Sequence, residues 1–272
     1  ILALALVVGG ILRTIVVVDN GTGPSYEAPS STDEVNYREL ADKILERKTY
    51  GSWSECFFTR SMRAPVYPAV LAFANFAIRS AWTPLALNLC LDVINILLIF
   101  AIGISIGGYR TAAVSAVLYS IFAPSFIYIR FSAAEIFAVF LFLSFVFSVL
   151  KYERILSAHF FSVVVSYTLL LHARPSFLPV VFFLPVVFFL KFRKANDTLR
   201  YKIIKSVLPA FFVLMLCLPW VYRNFNLHKT FVPVCVVPAW HFFESEEYDL
   251  GLSAKKAMDF IYEPSRKDWQ EG

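Results

Sequence analysis

The sequence contains no C-x-x-C pair, no H-E-x-x-H run, no internal repeat and no low-complexity tract. The first two absences remove the usual sequence signatures of a metal centre. The third argues against a transporter built from paired inverted repeats, the main rival class for such a chain. The four cysteines do not form a disulfide framework. Cys90 and Cys217 lie in apolar runs and read as small core residues. Cys56 and Cys235 lie in loop-like stretches and could pair. The net charge of +5 falls in short connections rather than in one basic face, which suits membrane topology and not nucleic acid.

What is abundant is hydrophobic surface. Apolar residues make up 58% of the chain, 28 of them Phe, against roughly 45–50% in soluble proteins. The mean hydropathy is +0.64. The spacing predicts apolar segments at Ile1–Val18, Ala64–Ile78, Thr83–Ile106, Thr111–Ile129, Ser132–Leu150, Leu156–Leu171, Ser176–Leu190 and Val207–Val221. Ile1–Val18, interrupted by Arg13 and lacking a small-x-small cleavage site, reads as a retained anchor rather than a signal peptide. The chain starts inside this run and ends in polar sequence, so it reads as the N-terminal part of a longer membrane protein. The expected fold is all-α: a polytopic transmembrane bundle with a long extracytoplasmic first loop carrying juxtamembrane helices. Residues 1–225 form the membrane domain, with the loop at 19–63. Residues 226–272 form a further extracytoplasmic loop or the start of a C-terminal region, with one more amphipathic helix at Ala254–Tyr262.

The basic cluster Lys191, Arg193, Lys194, Arg200, Lys202 and Lys205 assigns its loop to the cytoplasm and Arg223-Asn224 to the outside. A parity problem follows. Seven crossings between the first loop and Arg223 would put them on opposite faces. Ala64–Ile78 is the segment best dropped from the count, since its roughly 15 residues make only about 22 Å of helix against a hydrocarbon core of about 30 Å. A re-entrant or juxtamembrane helix is expected there.

Within the first loop, Thr32-Asp33-Glu34-Val35-Asn36-Tyr37 places two acids ahead of an amphipathic pattern: Tyr37, Leu40, Ala41, Ile44 and Leu45. Ser31 and Glu34 have capping-box spacing, and Asp33 sits near the positive end of the helix dipole. A cap and a catalytic carboxylate are compatible readings, because the cap also fixes where Asp33 points. Further along, Trp53, Phe57 and Phe58 suit the membrane–water boundary. Arg63-Ala64-Pro65-Val66-Tyr67-Pro68 marks the return to the membrane. Glu135 opens an apolar run, His172-Ala173-Arg174-Pro175 separates two runs, and Pro219-Trp220-Val221-Tyr222-Arg223-Asn224 closes the last. Arginines and Pro-Trp at span ends ordinarily snorkel or anchor, yet ionisable groups near membrane depth also mark function.

Asp33-Glu34-x-x-Tyr37 with Ala41, Arg63-x-Pro65-x-Tyr67-Pro68, Glu135, His172-Ala173-Arg174-Pro175 and Pro219-Trp220-x-x-Arg223-Asn224, in that order, resemble the N-terminal half of a GT-C type membrane glycosyltransferase. The nearest branch is that of the dolichyl-phosphate-mannose protein mannosyltransferases and the bacterial aminoarabinose (lipid A) transferases. The resemblance covers the chain to about Pro233. It departs from the lipid A branch, where lysine typically precedes the paired prolines and this chain has Arg63-Ala64-Pro65.

The resemblance implies transfer of one sugar from a polyprenyl-phosphate donor to a lipid, glycan or protein acceptor on the extracytoplasmic face of the plasma or inner membrane. The first-loop acid, Asp33, would be the catalytic residue, with Glu34 beside it. Arg63, Tyr67, Glu135, Arg174 and Arg223 would bind the donor phosphate and substrate. Chemically, Asp33 could act as general base toward the acceptor. Attack opposite the phosphate inverts the anomeric carbon and needs no covalent intermediate. Arginine is the preferred partner for the leaving phosphate. No cofactor or metal requirement follows from the sequence, and Asp33 and Glu34 could coordinate a divalent cation. The rival readings are a multi-span transporter or lipid flippase without covalent chemistry, and another enzyme of the same superfamily.

Overall fold

The computed structural model describes residues 2–19, 32–47, 50, 61, 63–78, 80, 82–228 and 231–235. The described residues are helical, in the order α1 (Leu2–Asp19), α2 (Thr32–Arg47), α3 (Val66–Ile78), α4 (Thr83–Ser120), α5 (Ala123–Tyr128), α6 (Glu135–Lys151) and α7 (Ala158–Ala173), then a 3-10 helix (Pro175–Phe183), α8 (Leu184–Phe192) and α9 (Leu199–His228). Three helical stretches are long and apolar enough to cross a membrane: Thr83–Ser120, Pro175–Phe192 and Leu199–Leu227. They mark a membrane protein, and the large apolar side chains left on their outer faces, such as Ile106, Val114, Phe182 and Leu216, suit lipid contact.

Pattern and local chemistry account for the element boundaries. The α6 helix has Glu135 in its first turn and Lys151 in its last, each complementing the helix dipole. Ser157 caps α7 by accepting from the Phe160 N–H at 3.2 Å. Pro175 ends α7 by holding Arg174 in an extended conformation (φ −138°, ψ 93°). Pro179 follows inside the 3-10 helix.

The 38-residue α4 is not one rod. Gly108 has φ 76° and ψ −169°, a conformation open essentially to glycine alone, and the helix breaks there. The two arms pack antiparallel. Tyr119 of the return arm donates to Asp92 of the outgoing arm at 2.8 Å, and Ile96 shares a small core with Ala116 and with Ala5 of α1. Gly103 permits this approach, because a Cβ there would lie 2.5 Å from the Ala112 Cα. The expected break between Thr83–Ile106 and Thr111–Ile129 falls at this turn, but the second segment is not continuous: the return arm stops at Ser120 and α5 follows as a separate helix.

The main core lies between α3, α4, α6, α7, α8 and α9, around Tyr67, Phe137, Tyr152, Phe160, Tyr167 and Phe188. At one end of this bundle, Lys191 donates to the carbonyls of Val149, Leu150 and Tyr152, and Tyr152 Oη donates to the Lys205 carbonyl at 3.0 Å. The opposite ends of α6 and α7 carry Glu135 and Arg174.

The α3 helix spans 13 residues, about 20 Å. It packs against α2 through Ala41, Leu71 and Ala72. Cys217 is buried as expected, whereas Cys90 is exposed on α4. The expectation of a core position for Cys90 fails because an apolar run has outward faces too, and on a lipid-facing helix these are no more polar than the inward ones. Cys56, Trp53, Phe57, Phe58, Ser31 and the tail helix at Ala254–Tyr262 lie outside the described residues.

Candidate functional site

Glu135 and Arg174 meet in the wall of a cavity of about 350 Å³ bounded by the α4 return arm, α5, α6 and the 3-10 helix. Arg174 Nη2 donates to Glu135 Oε1. The extended backbone imposed by Pro175 takes Arg174 off the α7 helix and allows it to reach α6. The second carboxylate oxygen, Glu135 Oε2, is buried and has no hydrogen-bond partner. The remaining walls are mostly apolar, with Phe122, Tyr128, Val139, Phe142 and Phe177 among them, and Tyr119, Ser125 and Ser176 add hydroxyls.

Behind this cavity lies a charge pair that sequence reading missed. Arg13 of α1, 2% exposed, donates through Nε to the fully buried Asp92 of α4. Its Nη1 donates to the carbonyls of Gly9 and Ser120, and its Nη2 to Ser125 Oγ at 3.2 Å. Asp92 also accepts from Tyr119 at 2.8 Å. Two cavity-lining residues, Tyr119 and Ser125, are thus held by one buried ion pair. The signal was available: Arg13 and Asp92 are lone charges inside apolar runs, and burial of either demands a partner.

The acids of α2 come close to the same end of α6. Glu34, fully buried, accepts from Arg38 and from the Ser132 N–H at 3.1 Å, while Arg38 Nε donates to Ser132 Oγ at 2.8 Å. Glu34 therefore ties α2 to the segment leading into Glu135. Asp33 belongs to the first turn of α2, and its side chain lies outside the described residues. Next to this tie, Arg63 stacks over Tyr37 (5.6 Å), Tyr37 meets Tyr67 edge-on (5.0 Å) and Tyr67 contacts Phe137 of α6 (6.0 Å). Tyr67 is fully buried. The structure thus groups Glu34, Arg63, Tyr67, Glu135 and Arg174 around the N-terminus of α6.

Arg223 is placed apart from the cavity walls. Its Nη2 donates to the Tyr50 carbonyl at 2.9 Å and its Nη1 to Ser61 Oγ at 3.2 Å, and its guanidinium lies 4.4 Å from the Trp220 ring. Asn224 accepts from Ser61 at 3.0 Å and donates to the carbonyls of Val232 and Val234, both at 3.1 Å. Burial pushes the Tyr50 phenol above its ordinary range, while Arg223 pulls it back. These contacts bring the first loop and the end of α9 to the same end of the molecule. Among the described residues, no group of three His, Cys, Asp or Glu side chains is arranged to hold a metal ion.

Comparison with family models, with curated proteins and with solved structures finds no match to this chain.

Proposed function

We propose that the protein is a polytopic membrane glycosyltransferase that moves a single sugar from a polyprenyl phosphate to an acceptor outside the cytoplasm, with inversion. The observation that carries this reading is the cavity with mostly apolar walls and the Glu135–Arg174 pair among its lining, next to the buried Glu34–Arg38–Ser132 tie that anchors the acidic start of α2. An amphipathic lipid phosphate needs apolar walls and an arginine at one point, and the acceptor needs a carboxylate nearby.

In this reading the chain crosses six times after the first loop, by the outgoing arm of α4, its return arm continued by α5, α6, α7, the 3-10 helix with α8, and α9, with α3 as a juxtamembrane helix. Six is even, so the first loop and Arg223 share a face, in keeping with the Arg223–Tyr50 and Asn224–Ser61 contacts. The basic residues at the other ends of the helices make that opposite face cytoplasmic. In this reading Asp33 is the general base, Arg174 binds the leaving phosphate, and Glu34 positions α2 rather than meeting substrate. Arg63 and Tyr67 support the site from the loop side, and Arg223 clamps the loop to α9.

The test is a transfer assay on the protein in nanodiscs with a panel of polyprenyl-phosphate sugars and lipid, glycan and peptide acceptors. Wild type should release polyprenyl phosphate, and Asp33→Asn of matched melting temperature should lose about a hundredfold or more in rate. Equal activity of the two proteins would remove Asp33 from catalysis. Failure of wild type to consume any donor with every acceptor supplied would remove the transferase reading and favour a flippase or transporter.

A further inference from the structure

We infer that the end of the molecule carrying the α8–α9 connection binds the head group of an anionic phospholipid, with Arg193, Lys194 and Arg200 on its phosphate and its acyl chains on the outer faces of α8 and α9. This rests on the membrane location of the helices and is independent of the transferase reading.

Residues 151–154 and 191–205 hold eight Lys and Arg against two acids, Glu153 and Asp197. One group of these cations is spent inside the protein. Lys191 donates to the carbonyls of Val149, Leu150 and Tyr152 and so closes the last turn of α6. Lys202 donates to the Arg193 carbonyl at 3.0 Å. Lys205, buried against the rings of Phe192 and Tyr201, pairs with Asp197 at 2.9 Å. The Tyr152 hydroxyl donates to the Lys205 carbonyl. These contacts gather the start of the α6–α7 connection, the α8–α9 connection and the first turns of α9 at one end.

The other group is left over. Arg154, Arg193, Lys194 and Arg200 are exposed, and among the described residues no hydrogen bond or ion pair engages their side chains. Asp197, the one acid of the α8–α9 connection, is already taken by Lys205. Apolar surface begins at the same level. Leu199, beside Arg200, is exposed, and Ile203, Val207 and Phe211 continue it along one face of α9, while Val186, Val187 and Leu190 are exposed on α8 just ahead of Arg193.

A free phosphate would use only the cations, and an acidic protein would have no use for apolar faces running away from them. An anionic phospholipid uses both, its phosphate on guanidinium groups and its chains on the helices. Basic residues at span ends favour one topology wherever they stand. A binding site requires in addition that they converge, and the lysine–carbonyl ties supply that convergence.

The experiment measures lipid retention by the intact, delipidated protein in a neutral detergent by native mass spectrometry. The probes are phosphatidylglycerol and phosphatidylcholine with the same acyl chains. Phosphatidylglycerol should bind wild type about tenfold or more tightly than phosphatidylcholine, since each cation near an anionic head group is worth about fivefold. The triple change Arg193→Gln, Lys194→Gln and Arg200→Gln should abolish that preference and leave phosphatidylcholine binding unchanged. Arg193→Lys with Arg200→Lys keeps the charge and should keep most of the preference. Arg110→Gln, which removes an exposed cation at the turn of α4, should change nothing. Melting temperatures are matched, and Lys194→Gln alone, with a predicted loss of about fivefold, gives the reading if the triple variant does not fold. Equal binding of the two lipids to wild type would overturn the inference, as would an undiminished preference in the triple variant. An Arg110→Gln loss as large as that of Lys194→Gln would reduce the effect to diffuse charge attraction and overturn it too. Competition by soluble glycerophosphate at equal concentration would assign the cations to a free phosphate instead.

Discussion

At the scale of single residues, the buried ion pair is the sharpest commitment in the molecule. Arg13 and Asp92 each sit in an apolar helix with almost no exposure, and neither is tolerable without the other. Arg13→Met should therefore cost about 3–5 kcal/mol by leaving Asp92 buried without its partner. The double change Arg13→Met with Asp92→Leu should recover most of that loss. Thermal melting in a fixed detergent, with both single variants and the double variant, reads the coupling directly. Melting of the double variant no higher than that of the worse single would mean that the pair contributes no mutual compensation. A different residue-scale outcome is expected in α2. Burial and the neighbouring Glu46 raise the Asp42 carboxyl above its ordinary range, with Arg38 opposing. A carboxyl raised in the fold binds its proton more tightly there than in the unfolded chain, so stability falls as pH rises through that window. Asp42→Asn should accordingly stabilise at pH 7 by a few tenths of a kcal/mol, the screened worth of a like-charge i,i+4 pair. The gain should disappear once the pH is low enough to protonate Asp42 in both states.

At the scale of elements, the turn of α4 converts an apparent 38-residue helix into two packed arms. The return arm lines the cavity with Tyr119, and the outgoing arm holds that tyrosine through Asp92. Gly108→Ala should cost on the order of 1–3 kcal/mol because the backbone there is nearly closed to L side chains. Gly103→Val should be worse for binding than for local helix propensity, since its side chain would force Ala112 away and separate Asp92 from Tyr119. Comparing donor binding with melting temperature for the two variants separates these effects. Equal effects of both on binding per unit of lost stability would argue against a special role for the arm spacing.

At the scale of the whole molecule, the arrangement predicts sidedness. Single cysteines placed at the Arg110 turn and in the 193–198 connection should be reached by an impermeant thiol reagent from one side of sealed vesicles. Cysteines at the exposed positions Glu46 and Phe231 should be reached only from the other. Labelling of the Arg110 and Phe231 positions from the same side would break the proposed six-crossing topology.

Much of this architecture was legible in the chain. Apolar run lengths located most of the helices, and the amphipathic spacing after Asp33 located α2. These are properties of composition along one dimension, where burial in lipid leaves its mark residue by residue. What the chain alone did not decide was which of its isolated charges meet. Glu135 and Arg174 are 39 positions apart and Arg13 and Asp92 are 79 apart. Such pairs form only when helix packing sets rotation and depth, and hydrophobicity in a membrane says little about which face of a helix turns inward. For the same reason Cys90 faces outward, Arg223 clamps a loop instead of joining the cavity, and the oxygen of Glu135 left open to a ligand is visible only in three dimensions.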